Sequence, residues 1–354
     1  MKIKNIVTTV LLGAMLLSLS VWCIFGEKAE FSDSERRALA KFPELSVDTV
    51  ISGEFAKKFE EYATDVFPAR DLWRSIKAYA RLGLFMQKDN NKIFLKDGHL
   101  SKLEYPANYS MADHAIELFE KINDNYLNDT NNLYFAMIPD KNKYLADLSL
   151  DYTEFEKYMT DGLAFAESIN IGDMLEADDF YYTDTHWRQE AITDIASHIA
   201  QSMGSSISGE YETVVTDMPF NGVYVGQSAL NVEPDTLSYL TNDTIKGYKV
   251  QGASAVYDMT KAESRDPYEM FLSGNQPLVT IKNPADTSGR RLIIFRDSFG
   301  SSIAPLLAEG YSETILIDLR YVSSGMLGNF VDFSNADVLF MYSTLLLNSS
   351  LSLK

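Results

Sequence analysis

Three short runs in the last quarter of the chain, RLIIF (Arg291–Phe295), TILIDL (Thr314–Leu319) and DVLFMYS (Asp337–Ser343), are nearly continuous in apolar side chains. A strand with one wet face alternates apolar and polar residues, whereas a strand buried on both faces does not. Between the first two runs, SIAPLLAEG reads as a helix that stops at Gly310. NLYFAMIP (Asn132–Pro139) has the same apolar character. Apolar strands alternating with helices predict an α/β fold, with a parallel sheet flanked by helices on both faces.

The remaining segments frame that sheet. From Ser34 to about Arg81 the pattern is helical: FAKKFEEYATDVF puts Phe55, Phe59, Tyr62, Val66 and Phe67 near one face before Pro68, and DLWRSIKAYARLGLF is a second helix capped by Asp71. KIFLKDGHLSKL (Lys92–Leu103) is a hairpin turning at Asp97-Gly98. MADHAIELFEKINDNYL and YMTDGLAFAESIN read as helices, and HWRQEAITDIASHIAQSM (His186–Met203) is the clearest of all. Over residues 204–289 helical periodicity fades and Gly, Ser, Thr, Asn and Asp become frequent, which predicts an irregular β-rich insertion.

At the N-terminus, Lys2 and Lys4 precede an uncharged, mostly apolar stretch from Ile6 to Phe25, about the ~20 residues that cross hydrocarbon. An uncleaved membrane anchor at residues 1–26, a cleaved signal peptide and a buried soluble helix are the three readings of that stretch. Under either of the first two, residues 27–354 form an extracytoplasmic domain: basic residues before the span and a mostly acidic flank after it put the N-terminus inside. Cys23 is the only cysteine, so that domain carries no disulfide and no thiolate. Fifty acidic side chains against 31 basic ones give a net charge of −19, which argues against a nucleic-acid partner.

Chemistry is expected at the end of the RLIIF run, which leads directly into Arg296-Asp297-Ser298-Phe299-Gly300. Open α/β sheets place ligands in the crevice beyond the carboxyl ends of their strands. A hydroxyl there has helix N–H groups beside it for a developing oxyanion, but a serine before a helix also serves as a cap. A serine nucleophile needs a base. His99 falls in the hairpin and reads as exposed; His114 and His198 fall inside amphipathic helices. His186 follows Asp184 by two residues, and in an extended lead-in to the helix both side chains would point to one side. The carboxylate would then fix the imidazole tautomer. Asp184 as a helix cap with His186 on the surface is the competing reading. No metal-binding motif of defined spacing and no phosphate-binding G-x-G-x-x-G or G-K-S/T string is present, so no metal and no cofactor is expected.

Together the two segments resemble the DHHW proteins, which are related to the alginate O-acetyltransferase proteins of the SGNH-hydrolase-like superfamily. The resemblance rests on Asp184-Thr185-His186-Trp187 and, about a hundred residues on, a strand ending in Asp297-Ser298-Phe299. It extends to Glu35–Ala40 with Phe42-Pro43, Asp65–Arg70, Lys96-Asp97-Gly98, Ile138–Lys141, Phe220-Asn221-Gly222 and Ile317–Tyr321. The resemblance implies an SGNH-like fold in which Asp184 orients, His186 is the general base and Ser298 is the nucleophile. Two positions depart from it: Thr185 stands where the family name implies histidine, and Arg296 stands where the wider superfamily has the glycine of G-D-S. Tyr181, Tyr182 and Trp187 flank the base and are candidate sugar-stacking platforms, with core packing beside a helix start as the competing reading. Lys141, Arg296 and Arg320 are candidate substrate contacts, the two arginines offsetting the acidic surface toward anionic polymers.

Three functions follow: an extracytoplasmic O-acetyltransferase acting on a cell-surface polysaccharide through an acyl-serine, a carbohydrate esterase using the same triad, and a non-catalytic glycan-binding or scaffold protein. For the first, the resemblance implies a multi-spanning membrane O-acyltransferase as the partner that supplies acyl groups.

Overall fold

The computed structural model describes residues 2–354, which divide into two compact units: residues up to Asn91 with Val225–Asn231, and Lys92–Tyr224 with Val232–Lys354.

The larger unit is built on a seven-stranded sheet. The chain reaches it after a two-residue ladder in the smaller unit, β1 (Phe31–Ser32) with β2 (Arg37–Ala38), and the hairpin β3 (Ile93–Lys96) with β4 (His99–Lys102). Asp97 and Gly98 both take positive φ, as a two-residue hairpin turn requires. The sheet strands are β5 (Asn132–Ile138), β6 (Glu167–Ser168), β9 (Lys249–Gln251), β10 (Leu278–Lys282), β11 (Arg291–Arg296), β12 (Glu313–Ile317) and β13 (Ala336–Ser343), while β7 (Glu212–Phe220) and β8 (Asp235–Thr241) form a separate antiparallel ribbon. Sheet order is β6-β5-β13-β11-β12-β10-β9. β6 through β12 in that order are parallel, and β10 runs antiparallel to both its neighbours.

Both faces of the sheet are covered. On β11, Leu292 and Ile294 join the core under the helices Thr193–Ser202 and Phe299–Leu307, while Ile293 and Phe295 join the core under Tyr109–Tyr126 and Tyr152–Gly162. All four side chains are fully buried. Two-sided burial is why the run carries no alternation.

Several expectations shift. The 204–289 segment is only partly an insertion, because its last strands complete the sheet edge, β10 pairing with β12 and β9 with β10. The helix expected from Tyr158 to Asn170 instead spans Tyr152–Gly162, and Glu167–Ser168 is drawn into the sheet beside Tyr134 and Phe135. The helix expected from His186 starts at Thr193, after a 3-10 turn at Gln189–Ala191. Residues 179–188 close on themselves instead: Tyr181 N–H donates to His186 O at 3.1 Å and Arg188 N–H to Asp179 O at 2.7 Å. In the smaller unit, the second amphipathic helix is Arg70–Tyr79, so Asp71 lies inside its first turn and Ala69, at φ 53°, holds the cap position.

Ile294 sits mid-strand at the centre of the parallel sheet. Ile294→Ala is expected to lower unfolding stability by about 2–5 kcal/mol, the range for truncating a fully buried branched side chain. The measurement is the urea midpoint at unchanged m-value; a loss below about 1 kcal/mol would show that the core there is loosely packed.

Candidate active site

Four parallel strands end in polar residues: Asp140 and Lys141 after β5, Asp297 and Ser298 after β11, Asp318 and Arg320 after β12, and Ser343 and Thr344 at β13. Asp297 ties two of these ends together. One carboxylate oxygen accepts from Phe299 N–H at 3.0 Å and the other from Ser343 N–H at 2.9 Å. Asp140 joins β5 to β13 by accepting from the Thr344 hydroxyl at 2.7 Å, and it also accepts from Tyr152 at 2.9 Å. Burial raises the Asp140 carboxyl to about 6 despite those bonds.

Ser298 stands immediately before the helix Phe299–Leu307, yet its hydroxyl makes no capping bond. Half-buried, its Oγ lies 2.7 Å from Nε2 of His186. Nδ1 of the same ring lies 2.6 Å from Oδ1 of Asp184. An ionised carboxylate can only accept, so Nδ1 carries the proton and Nε2 is left to accept the Ser298 O–H. The three residues expected as nucleophile, base and acid are therefore in one hydrogen-bonded line. Asp184 and His186 meet through a tight bend, in which Asp184 Oδ1 also accepts His186 N–H at 3.1 Å, rather than through the extended lead-in anticipated.

The loop carrying this pair is held on several sides. Lys141 is buried, and its Nζ donates to the carbonyls of Tyr181 at 2.7 Å and Tyr182 at 3.1 Å while sitting 5.2 Å from the Tyr224 ring centre. Asp235 on β8 accepts from Tyr182 N–H and Thr183 N–H, each at 2.7 Å. Across from Thr183 and Asp184 runs Gly222–Tyr224: Gly222 N–H donates to the Thr183 hydroxyl at 2.8 Å and Val223 N–H to Asp184 Oδ2 at 2.8 Å. A Cβ on residue 222 would stand 2.3 Å from the Thr183 carbonyl, so only glycine fits. The Tyr268 ring stacks on the His186 imidazole, centroids 3.7 Å apart and planes within 7°, with its hydroxyl on Ser302 Oγ at 2.8 Å.

Of the expected substrate contacts, Tyr182 is exposed, Arg320 partly buried, and Tyr181, Trp187, Lys141 and Arg296 buried. Tyr182 remains 42% exposed, but stacks on His99 at 4.2 Å. His99 itself is buried, with Nε2 3.1 Å from Asp178, not exposed as the hairpin position suggested. Trp187 is fully buried, donating to Phe299 O and Ser302 Oγ; it binds the loop to the helix and cannot face a sugar. Lys141 is a loop clamp rather than a surface contact. Arg296 points inward, 1% exposed, with Nη1 3.5 Å from Asp318 and a bond to the Asp297 carbonyl. Arg320 grips the same Asp318 through two nitrogens, at 2.9 and 2.6 Å, so the two arginines do not make an open basic patch. Tyr268 and Asp235 were not among the expected site residues. Both are isolated in the irregular 204–289 segment, without period or motif, where only Phe220-Asn221-Gly222 belongs to the resemblance.

No family model and no curated protein sequence matches the chain. Solved structures do. A DHHW family protein from Eubacterium siraeum superposes with a TM-score of 0.55 at 21% identity, over 73% of this chain and 93% of its own. Bacillus cereus PatB1 superposes with a TM-score of 0.58 at 18% identity, over 72% and 96%, and its form with a sulfonyl adduct with a TM-score of 0.57 at 19%, over 72% and 95%. The chain has the fold of the DHHW proteins. That is the fold the sequence resemblance implies.

Burial depresses the Lys141 amine to about 7, against the pull of Asp184, Asp235 and Asp140. A folded-state value below the ordinary lysine value means that folding releases a proton between about pH 7 and 10.4, so this residue's contribution to stability rises with pH across that window and is lost as pH falls through 7. The stability difference between wild type and Lys141→Met should therefore grow from pH 7 to 9 with a slope of up to about 1.4 kcal/mol per pH unit. Urea titrations at several pH values measure it; a pH-independent difference would mean that Lys141 stays charged.

Proposed function

We propose that this protein is an extracytoplasmic O-acetyltransferase acting on a cell-surface polysaccharide, with residues 27–354 held outside the membrane by the helix Lys2–Phe25. The carrying observation is the line Asp184–His186–Ser298 at the carboxyl edge of the sheet. Such a line performs acyl transfer in two steps. As Ser298 Oγ attacks the acyl carbonyl, its proton passes to His186 Nε2, and Asp184 stabilises the imidazolium that forms. The start of the helix Phe299–Leu307 presents positive backbone charge to the developing oxyanion. The donor's leaving group departs with the proton from His186, leaving an acyl-serine. A sugar hydroxyl then enters, gives its proton to His186 and takes the acyl group, and Ser298 recovers its proton.

The fold shared with the DHHW family protein and with PatB1 supports this reading, and PatB1's sulfonyl adduct suggests the reagent class for the test. The helix Lys2–Phe25 is long and apolar enough to cross a membrane, and its apolar span is unburied in the protein. Acyl donors made in the cytoplasm do not cross unaided, so a multi-spanning membrane O-acyltransferase is the proposed source of the acyl group.

Ser298→Ala should abolish labelling by a fluorophosphonate or sulfonyl fluoride and lower acetyl-ester turnover by about 10⁴-fold or more; Asp184→Asn, which permits the wrong tautomer, should cost about 10⁴-fold. Adding a glycan acceptor should divert acetyl from water to sugar, read as acetylated product by mass spectrometry. Turnover of Ser298→Ala equal to wild type would leave the scaffold reading, and acetate release untouched by acceptors would leave the esterase.

A further inference from the structure

The smaller unit contains a helix turned inside out. In Arg70–Tyr79 the exposed face is apolar: Ile76 (48% exposed) lies four residues after Leu72 (59%) and three after Trp73 (44%), and Tyr79 (52%) lies three beyond it. A widened turn, closed by Phe85 N–H on Ala80 O, continues it to Leu84 and Phe85. The opposite face is polar. Arg70 and Arg74 both pair with Glu35, Arg70 also reaches Asp65 at 3.3 Å, and Arg74 donates to the Gly226 carbonyl at 2.6 Å. A helix of a soluble protein buries its apolar stripe; this one fixes its polar stripe with ion pairs and leaves the apolar stripe outward. The arrangement is local. Among the described residues, 14 exposed large apolar side chains lie in the 45 residues from Phe42 to Met86, against 13 in all of residues 92–354.

What covers this face is indicated by its neighbour. A cavity of about 450 Å³ is lined jointly by the end of the membrane-length helix (Trp22, Cys23, Gly26) and the start of the inside-out helix (Ala69, Arg70, Leu72). The apolar face thus begins where the chain leaves the span. Its chemistry fits the same medium. Trp73 and Tyr79 are the residue types that settle at membrane–water interfaces. Lys77, next to Ile76, is exposed and suits anionic headgroups.

We propose that the face formed by Leu72, Trp73, Ile76, Tyr79, Leu84 and Phe85 lies in the lipid interface of the membrane that holds the helix Lys2–Phe25. This rests on the anchor reading above and is independent of the acyl-transfer chemistry. An interfacial helix sinks its apolar side into the boundary between headgroups and acyl chains, so the span and this face together form a two-point attachment.

The full-length protein tests this in vesicles of phosphatidylcholine and phosphatidylglycerol. Replacing the sole cysteine by Cys23→Ser gives a background for a fluorophore at Leu16→Cys, which reports the span, or at Ile76→Cys, which reports the face. Ile76 emission should fall about twofold or more with nitroxides placed near the headgroups, less with nitroxides deep in the acyl chains, and little with aqueous iodide. Leu16 emission should respond to the deep nitroxides. Adding Trp73→Asp to the Ile76→Cys protein should weaken the lipid quenching. Ile76 quenched by iodide but not by lipid, with Leu16 still in lipid, would overturn the proposal and spare the anchor. Ile76 shielded from both quenchers would also overturn it, since the face would then be covered by protein, such as a second copy. Loss of lipid quenching at both labels would overturn the anchor reading as well.

Discussion

A buried amine and a buried carboxylate hold the loop on which the site depends. Tyr181–His186 is neither helix nor strand, and fixing six such residues costs on the order of 6–12 kcal/mol in backbone entropy. Lys141 takes two of the loop's carbonyls and Asp235 takes two of its amides. Removing either partner would leave polar groups unpaired in a low-dielectric interior, which is more costly than the bond itself is worth. Desolvation opposes this use of charge, as the low Lys141 value records. Its compensation is geometric, because Asp184 and His186 are presented to Ser298 at hydrogen-bonding distance.

The sheet supplies the other half of the geometry. Asp140, Asp297, Asp318 and Thr344 gather at the carboxyl edge: Thr344 bonds Asp140, Ser343 N–H bonds Asp297, and Asp318 pairs with Arg296 and Arg320. Asp297 adjoins Ser298 in sequence but is occupied with Phe299 N–H and Ser343 N–H. It sets where Ser298 stands without touching the imidazole. Trp187 and Gln189 complete the join by bonding into the helix that follows Ser298, at Phe299 O, Ser302 Oγ and Ser302 O. Ser298 and His186 are thereby placed by one connected set of buried bonds.

Which parts of this were legible in the sequence follows from the range of the interactions. The parallel sheet could be read because burial on both sides leaves an unbroken apolar run. Asp184, His186 and Ser298 could be read because the resemblance singles them out; the two-residue spacing and the strand end by themselves left a capping role open. Burial of polar side chains is not local. Lys141 and Arg296 read as substrate contacts and His99 as exposed, since charged residues are almost never buried unless paired. Their partners, Tyr181 O, Asp318 and Asp178, lie 40, 22 and 79 positions away. The His186 helix was misplaced for a related reason: apolar spacing continues back to Trp187, but that ring is bonded to a helix over a hundred residues later. Tyr268 and Asp235 carried no sequence signal, because stacking on an imidazole or accepting two amides leaves no periodic trace.

The two units obey opposite rules of burial, and this bears on what each needs. In the larger unit apolar side chains fill both faces of the sheet, and charges that enter are held by ion pairs, as Arg296 is, or by hydrogen bonds, as Lys141 is. In the smaller unit the helix Arg70–Tyr79 keeps its arginines inside on Glu35 and Asp65 and its rings outside. Ion pairs of this kind offer little net stability once desolvation is counted, so they hold an orientation more than they hold a fold. Apolar area left in water forgoes about 25 cal/mol per Å². A helix held in the unfavourable orientation by charges on its inner side is ordered in advance for an apolar medium, so it loses less entropy when that medium covers it.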